Sequence, residues 1–206
     1  MYDKDFVVDF LKAVYNTKSE NLYFRLGLWL DSNITAPDKL ITLPLMSLYN
    51  NPELVKSSID ANLNNSYDQV LYNKSGVPTL ATAITVDWDS KEIPDFVLPP
   101  SYILVSGNHY HISWFLRYPV WYKEAQMVKC GMLNKWKEID KFSANIIHFY
   151  RLPFGRNLKS GHGMEIKFVS YNPERRYELD ELAQRFGLKL FSHCTQIAYR
   201  IYEKRT

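Results

Sequence analysis

Two aspartates one residue apart, Asp87 and Asp89, close the apolar run Leu80 to Val86. Side chains alternate along a strand, so both carboxylates project to one face, about 6.5 to 7 Å apart at Cα, while Trp88 points to the other. Both can reach one divalent ion. Mg²⁺ takes hard oxygen ligands and is commonly held by one or two carboxylates plus substrate phosphates, and paired ions clamp the attacking and leaving oxygens of phosphoryl transfer. An isolated Asp-x-Asp is equally the solvated end of a strand, so a third acid is needed. Asp140, directly after Ile139, is the candidate, against the plainer reading of a helix-end acid.

A second cluster follows Asp89. The stretch Leu98 to Leu116 predicts a short strand (Tyr102 to Val105), a turn (Ser106-Gly107-Asn108) and a returning strand (His111 to Leu116), with Ser106 and His111 spaced Ser-Gly-x-x-x-His. Further on, Arg151-Leu152-Pro153 opens a glycine- and base-rich loop to Gly163 that offers Gly155, Arg156, Asn157 and Lys159. Arginine forks, lysine and glycine-freed backbone amides are what a triphosphate or a nucleic-acid backbone demands. A structural salt bridge is the competing use of Arg151 and of Lys159.

In order and approximate spacing this set resembles the archaeo-eukaryotic primase superfamily, in its plasmid- and virus-encoded primase-polymerase and replicase-primase branches. The resemblance rests on Asp87 and Asp89, Ser106-Gly107-Asn108-His109-Tyr110-His111 with Trp114, Ile139-Asp140, Arg151-Leu152-Pro153, Asn157 and Lys159, and covers roughly residues 80 to 163. His109 stands where the family's turn has a second glycine, Phe154 displaces the loop glycine to Gly155, and there is no cysteine-rich zinc stem.

The resemblance implies an α+β catalytic core with a largely antiparallel, RRM-like sheet flanked by helices. It implies a DNA primase or polymerase, a template-dependent nucleotidyltransferase serving a plasmid, virus or other mobile element. Asp87, Asp89 and Asp140 would hold two Mg²⁺ or Mn²⁺ ions. Ser106, Gly107 and His111 would meet the phosphates of the NTP or dNTP, with Arg151, Asn157 and Lys159 as further phosphate or template contacts. The implied partners are a single-stranded DNA template, a primer and a fused or separate helicase.

Two rivals explain part of the pattern. His109-Tyr110-His111 places two imidazoles on one strand face, which resembles the histidine pair of HUH-type rolling-circle nucleases; there a tyrosine such as Tyr171 or Tyr177 would be the nucleophile. That reading leaves Asp87, Asp89 and the Arg151 to Lys159 loop without a role. The other rival is a non-catalytic nucleic-acid-binding module, against which stands the presence of all three acids.

The elements that must position these residues follow from periodicity. Apolar spacing predicts helices over Asp3 to Tyr15, Pro52 to about Asn64 with Asn51 as N-cap, Tyr122 to Ile139, Tyr177 to Phe186 with Gly187 as stop, and Thr195 to Glu203. Strands are expected at Tyr23 to Leu30, Leu80 to Asp89, Ile146 to Tyr150 and Glu165 to Ser170, with Asp31 to Pro44 read as turn-rich and Lys74-Ser75-Gly76 as a turn. Single strands, hairpins and helices in this mixture fit α+β.

At 206 residues, residues 1 to 206 are expected to form one domain. No run of about 18 apolar residues offers a membrane span, and Asp3, Asp5 and Asp9 stand where a secretory signal would be basic. Cys130 and Cys194 are too few for a disulfide scaffold. The expectation is a cytoplasmic, reduced protein. Residues 1 to 116 hold 8 Lys/Arg against 13 Asp/Glu and residues 117 to 206 hold 17 against 9, an asymmetry that points to a polyanion partner or to a solvated basic face.

Overall fold

The computed structural model describes residues 3–29, 37–60, 64–157 and 164–188. Helix α1 (Lys4–Tyr15) is capped by the Asp3 carboxylate, which accepts from Phe6 N at 3.0 Å, and ends at Asn16 in the left-handed region. Its apolar stripe Val7, Phe10, Leu11 and Val14 is fully buried. Strands β1 (Tyr23–Trp29) and β2 (Lys39–Pro44) pair antiparallel, and short helices α2 (Ser47–Asn50) and α3 (Pro52–Ser57) follow. Asn51 caps α3 as expected, accepting from Leu54 N.

Then come β3 (Asn64–Tyr67), β4 (Val70–Tyr72), the long β5 (Pro78–Trp88), β6 (Tyr102–Ser106) and β7 (His109–Trp121). Helix α4 (Tyr122–Lys135) and a 3-10 turn (Lys141–Ala144) lead to β8 (Tyr150–Arg151), β9 (Arg156–Asn157), β10 (Met164–Glu165), β11 (Lys167–Tyr171), β12 (Arg176–Tyr177) and α5 (Leu179–Arg185). Ten strands among the described residues form one sheet in the order β11-β6-β7-β5-β4-β1-β3-β8, with β2 on β1 and β12 on β7; only the β12–β7 pair is parallel. This is the expected α+β architecture with a largely antiparallel sheet.

Cores form on both faces, as strand alternation requires. Ile84, Val86, Trp88, Ile112, Trp114 and Leu116 pack with Val128 and Met132 of α4 and with Leu182 and Phe186 at α5. Ala83, Tyr102, Leu104, Phe115 and Tyr150 pack with α1 on the other side. Asp87 and His111 share the parity of Ala83 and Phe115, so they continue the α1 face to the end of the sheet.

Several expectations are corrected. Residues 39–44 are a strand because β1 supplies a partner along the register Tyr23↔Pro44 to Leu28↔Lys39. The helix begun at Pro52 stops at Ser57, and Asn64–Tyr67 pairs with β1. That pairing needs Gly27, where a Cβ would lie 2.7 Å from Ser66 Oγ. Helix α4 ends at Lys135: Trp136 is extended, packs its indole against Phe96 and Phe186, and releases residues 138–140 to run beside β5. Of residues 146–150 only Tyr150 is in a strand, and Tyr177 belongs to β12, with α5 starting at Leu179. The helix expected at Thr195 to Glu203 lies outside the described residues. Among the described residues no helix is long and apolar enough to cross a membrane.

Asp68, fully buried, joins α1 to the β3–β4 turn. Its carbonyl accepts from Tyr15 OH at 2.8 Å, and its carboxyl accepts from Val70 N at 3.0 Å and Tyr72 OH at 2.6 Å. Burial pushes this carboxyl up to about 7, against those two hydrogen bonds and the nearby Arg25. An unfolded Asp titrates near 3.9, so between about pH 4 and 7 the folded state keeps a proton the unfolded state has released. The stability this contributes is complete below about pH 4 and lost as pH rises to about 7. Urea unfolding across that window should therefore show wild-type stability falling more steeply with pH than that of Asp68→Asn. Coincident pH slopes would mean that Asp68 is already ionised in the native state at acid pH.

Candidate functional site

The site is built on three adjacent strands. Register places Leu104, His111 and Asp87 in one row across β6, β7 and β5, and pairs Ser106 with His109 in the row toward the apex. Asp89 joins that outer row, with Oδ1 2.8 Å from His109 Nδ1. The row on the inner side, Tyr102, Ser113 and Thr85, is a buried hydroxyl layer in which Thr85 and Ser113 are 2.8 Å apart and Tyr102 meets Tyr67 at 2.8 Å.

Asp140 arrives by main chain. Its N–H donates to Asp87 O at 2.9 Å, Asp89 N–H donates to Glu138 O at 2.8 Å, and Ile139 bridges Trp88, so residues 138–140 extend the sheet past β5. The Asp140 carboxylate caps the following 3-10 turn by accepting from Phe142 N. It stands at the start of that turn and not at the end of the preceding helix, which stops at Lys135. Ser143 donates its hydroxyl to Asp140 O and accepts weakly, at 3.4 Å, from Asp87 N.

Asp87 lies between two imidazoles. His111 Nε2 is 3.2 Å from Oδ1, and His148 Nε2 is 3.1 Å from Oδ2. The His111 contact is close but makes no hydrogen bond, so Asp87 Oδ1 is buried without a hydrogen-bond partner among the described residues, as is His111 Nδ1 on the other side of the ring. Burial by itself would raise the Asp87 carboxyl; His111, His148 and the more distant Lys129 outweigh it and hold it well below the usual carboxylate range. Burial keeps the His111 imidazole down at about 4 against the pull of Asp87. The Asp89 carboxyl is raised, first by partial burial and then by the charges of Asp140 and Asp87, with His109 opposing.

The donor chemistry suits a hard divalent cation. Three carboxylates lie within each other's field, and a buried carboxylate oxygen lacks a partner, which costs about 1 to 3 kcal/mol unless something completes it. As the side chains stand, no three His, Cys, Asp or Glu groups converge on one point among the described residues, because each acid is turned onto a histidine or a backbone amide.

The phosphate-type cluster is assembled at the β6–β7 turn. Arg151 Nη1 donates to the Ser106 hydroxyl, and Asn157 Nδ2 donates to Ser106 O at 3.3 Å. Gly107 has φ +78°, and a Cβ there would lie 2.6 Å from Asn157 Nδ2. Lys159 lies outside the described residues.

Sequence reasoning missed His148, a single histidine in no recognisable spacing. It also missed Lys129, a fully buried lysine of α4 whose Nζ donates to Tyr150 OH at 2.6 Å and Asn145 O at 2.9 Å. Burial lowers this ammonium to about 7, with Asp87 opposing.

The turn gives a direct check. Gly107→Ala combines a left-handed backbone, which costs a non-glycine residue about 1 to 3 kcal/mol, with the clash on Asn157. Urea unfolding should show a loss of that size, part of it recovered in the double variant with Asn157→Ala. Full stability in Gly107→Ala would mean that turn and loop do not meet.

No protein-family model matches the chain, and no curated protein sequence matches it significantly. Solved structures do. The AEP domain of the cyanophage S-2L primase-polymerase is 16% identical, with a TM-score of 0.61 over 89% of this chain and 98% of that one. Primase RepB′ is 13% identical, with a TM-score of 0.58 over 98% of this chain and 66% of that one. The catalytic domain of RepB′ in complex with initiator DNA is 12% identical, with a TM-score of 0.57 over 98% of both chains. The chain has the plasmid- and virus-type primase-polymerase fold.

Proposed function

We propose that residues 1 to 206 form a single catalytic domain, a template-dependent nucleotidyltransferase that acts as DNA primase, DNA polymerase or both in the replication of a mobile element. The observation that carries this reading is that main-chain pairing puts Asp87, Asp89 and Asp140 at one sheet end, beside the Ser106-Gly107 turn that Arg151 and Asn157 brace. Its fold neighbours are described as primases and primase-polymerases, one of them bound to initiator DNA.

In this reading Asp87, Asp89 and Asp140 hold Mg²⁺ or Mn²⁺. The bound ions supply neutralisation of the charge that builds as a 3′-hydroxyl attacks the α-phosphate of an NTP or dNTP and pyrophosphate leaves. Ser106, the Gly107 amide and His111 receive the triphosphate; Arg151 and Asn157 hold the turn in shape, and Arg151 and Lys159 add positive charge. Single-stranded DNA template and primer lie along the basic C-terminal half, and a helicase, fused or separate, opens the duplex.

The rolling-circle alternative needs His109 and His111 on one ion. They instead address different acids, His109 Asp89 and His111 Asp87. Of its candidate tyrosines, Tyr177 has its hydroxyl engaged, donating to Pro99 O.

Primer extension on single-stranded DNA, with each nucleotide set and with Mg²⁺ or Mn²⁺, tests the assignment. Asp87→Asn keeps the shape of the side chain but removes the charge, and incorporation should fall about a hundredfold or more with the fold intact. His109→Ala should keep most activity. A wild-type protein that binds DNA but incorporates nothing would make it a binding module. A dead His109→Ala beside an active Asp87→Asn, with a protein–DNA adduct lost on one tyrosine substitution, would make it a nuclease.

A further inference from the structure

Residues 145–149 adopt neither helix nor strand, yet buried polar side chains pin them from two sides. Gln126 of α4 donates to Ala144 O at 2.7 Å and accepts from Ile146 N at 2.7 Å. Lys129 reaches Asn145 O, Gln69 donates to Ile146 O at 3.2 Å, and the Asn145 side chain accepts from Ile147 N at 2.9 Å. Gln69 and Lys129 are fully buried and Gln126 nearly so. Burying such groups is costly unless each is hydrogen-bonded, so the chain commits three of them to the placement of one short loop.

The side chain that this loop delivers is His148. Its ring meets Tyr150 edge-on, with centroids 5.0 Å apart, and Tyr150 meets the His111 ring in the same way at 5.3 Å. The Tyr150 hydroxyl is itself held, accepting from Lys129 and donating to Thr85 O at 2.6 Å. One tyrosine thus sets the angle of both imidazoles on Asp87. His148 takes Oδ2, and the oxygen left without a hydrogen bond is Oδ1.

We infer that His148 is a positioning residue of the cation site: by donating Nε2–H to Asp87 Oδ2 it fixes the carboxylate and leaves Oδ1, the oxygen on the His111 side, as the one a divalent ion would complete. The inference rests on the reading of Asp87 as a cation ligand. Hydrogen-bonded partners behind ligating carboxylates typically govern metal affinity by about ten- to a hundredfold, and no other described side chain donates to this oxygen.

Mn²⁺ titration of the full chain, followed by the electron paramagnetic resonance of free Mn²⁺, provides a test that needs no turnover. His148→Ala should weaken Mn²⁺ binding about tenfold or more. His148→Gln, whose amide nitrogen can occupy the place of Nε2, should return to within about threefold of wild type. His148→Phe keeps a ring against Tyr150 but no donor; it should lose as much affinity as His148→Ala and serves in its place if the alanine variant is poorly folded. Unchanged or tighter binding in the variants lacking the donor overturns the inference, as does a loss that His148→Gln fails to rescue. If wild type binds Mn²⁺ no better than Asp87→Asn, the cation-site reading falls and takes the inference with it. If Asp87→Asn alone loses binding, only the role of His148 is refuted.

Discussion

The antiparallel register of β5 against β7 is the constraint on which the site depends. With Asp87 opposite His111 and Trp88 opposite Tyr110, the α4 face receives Val86, Trp88, Ile112 and Trp114, and the α1 face receives the hydroxyl layer and the acids. A slip of one residue would exchange the two sets and bring a carboxylate in among indoles. The apolar side guards against that slip: Trp88, Trp114, Phe96 and Phe186 form a chain of edge-on aromatic contacts that only one register permits. Packing on one face thereby aligns polar groups on the other.

That alignment confines charge, and the structure answers it locally. An ionised carboxylate as buried as Asp87 needs compensation, because Coulombic and hydrogen-bond partners must replace the water it has lost. His111 and His148 face it from two sides, His148 through a hydrogen bond, and Lys129 stands farther behind the site. Tyr150 and Thr85 connect Lys129 to the strand that carries Asp87. The polar interior is therefore continuous with the site.

Strand ends and turns were the legible part of the sequence. Asp87 and Asp89 follow an apolar run, and Ser106 to His111 spans a turn whose glycine has the positive φ that its position demands. Local pattern is enough for both. Asn64–Tyr67 was illegible because it carries no strand signal of its own, and the short run Leu40 to Leu43 was masked by the turn formers around it; β1 makes both strands. Asp140 was identified as a candidate but assigned to a helix that in fact ends at Lys135. His148, Lys129 and Gln126 left no trace, since a lone histidine and two polar residues on a helix acquire meaning only when folding brings residues 126, 129, 145 and 148 together.

The acids are tethered by two different means. Residues 138–140 are joined to the end of β5 through backbone N–H and C=O groups, which every amino acid except proline provides in full. Such a seam holds whatever side chains the strands carry, so the carboxylates of Asp87, Asp89 and Asp140 are not needed to join the strands. The loop bearing His148 hangs from the side chains of Gln126, Lys129 and Gln69, and few replacements would serve there. Changing an acid should therefore leave the seam joined, whereas changing Gln126, Lys129 or Gln69 should loosen the loop.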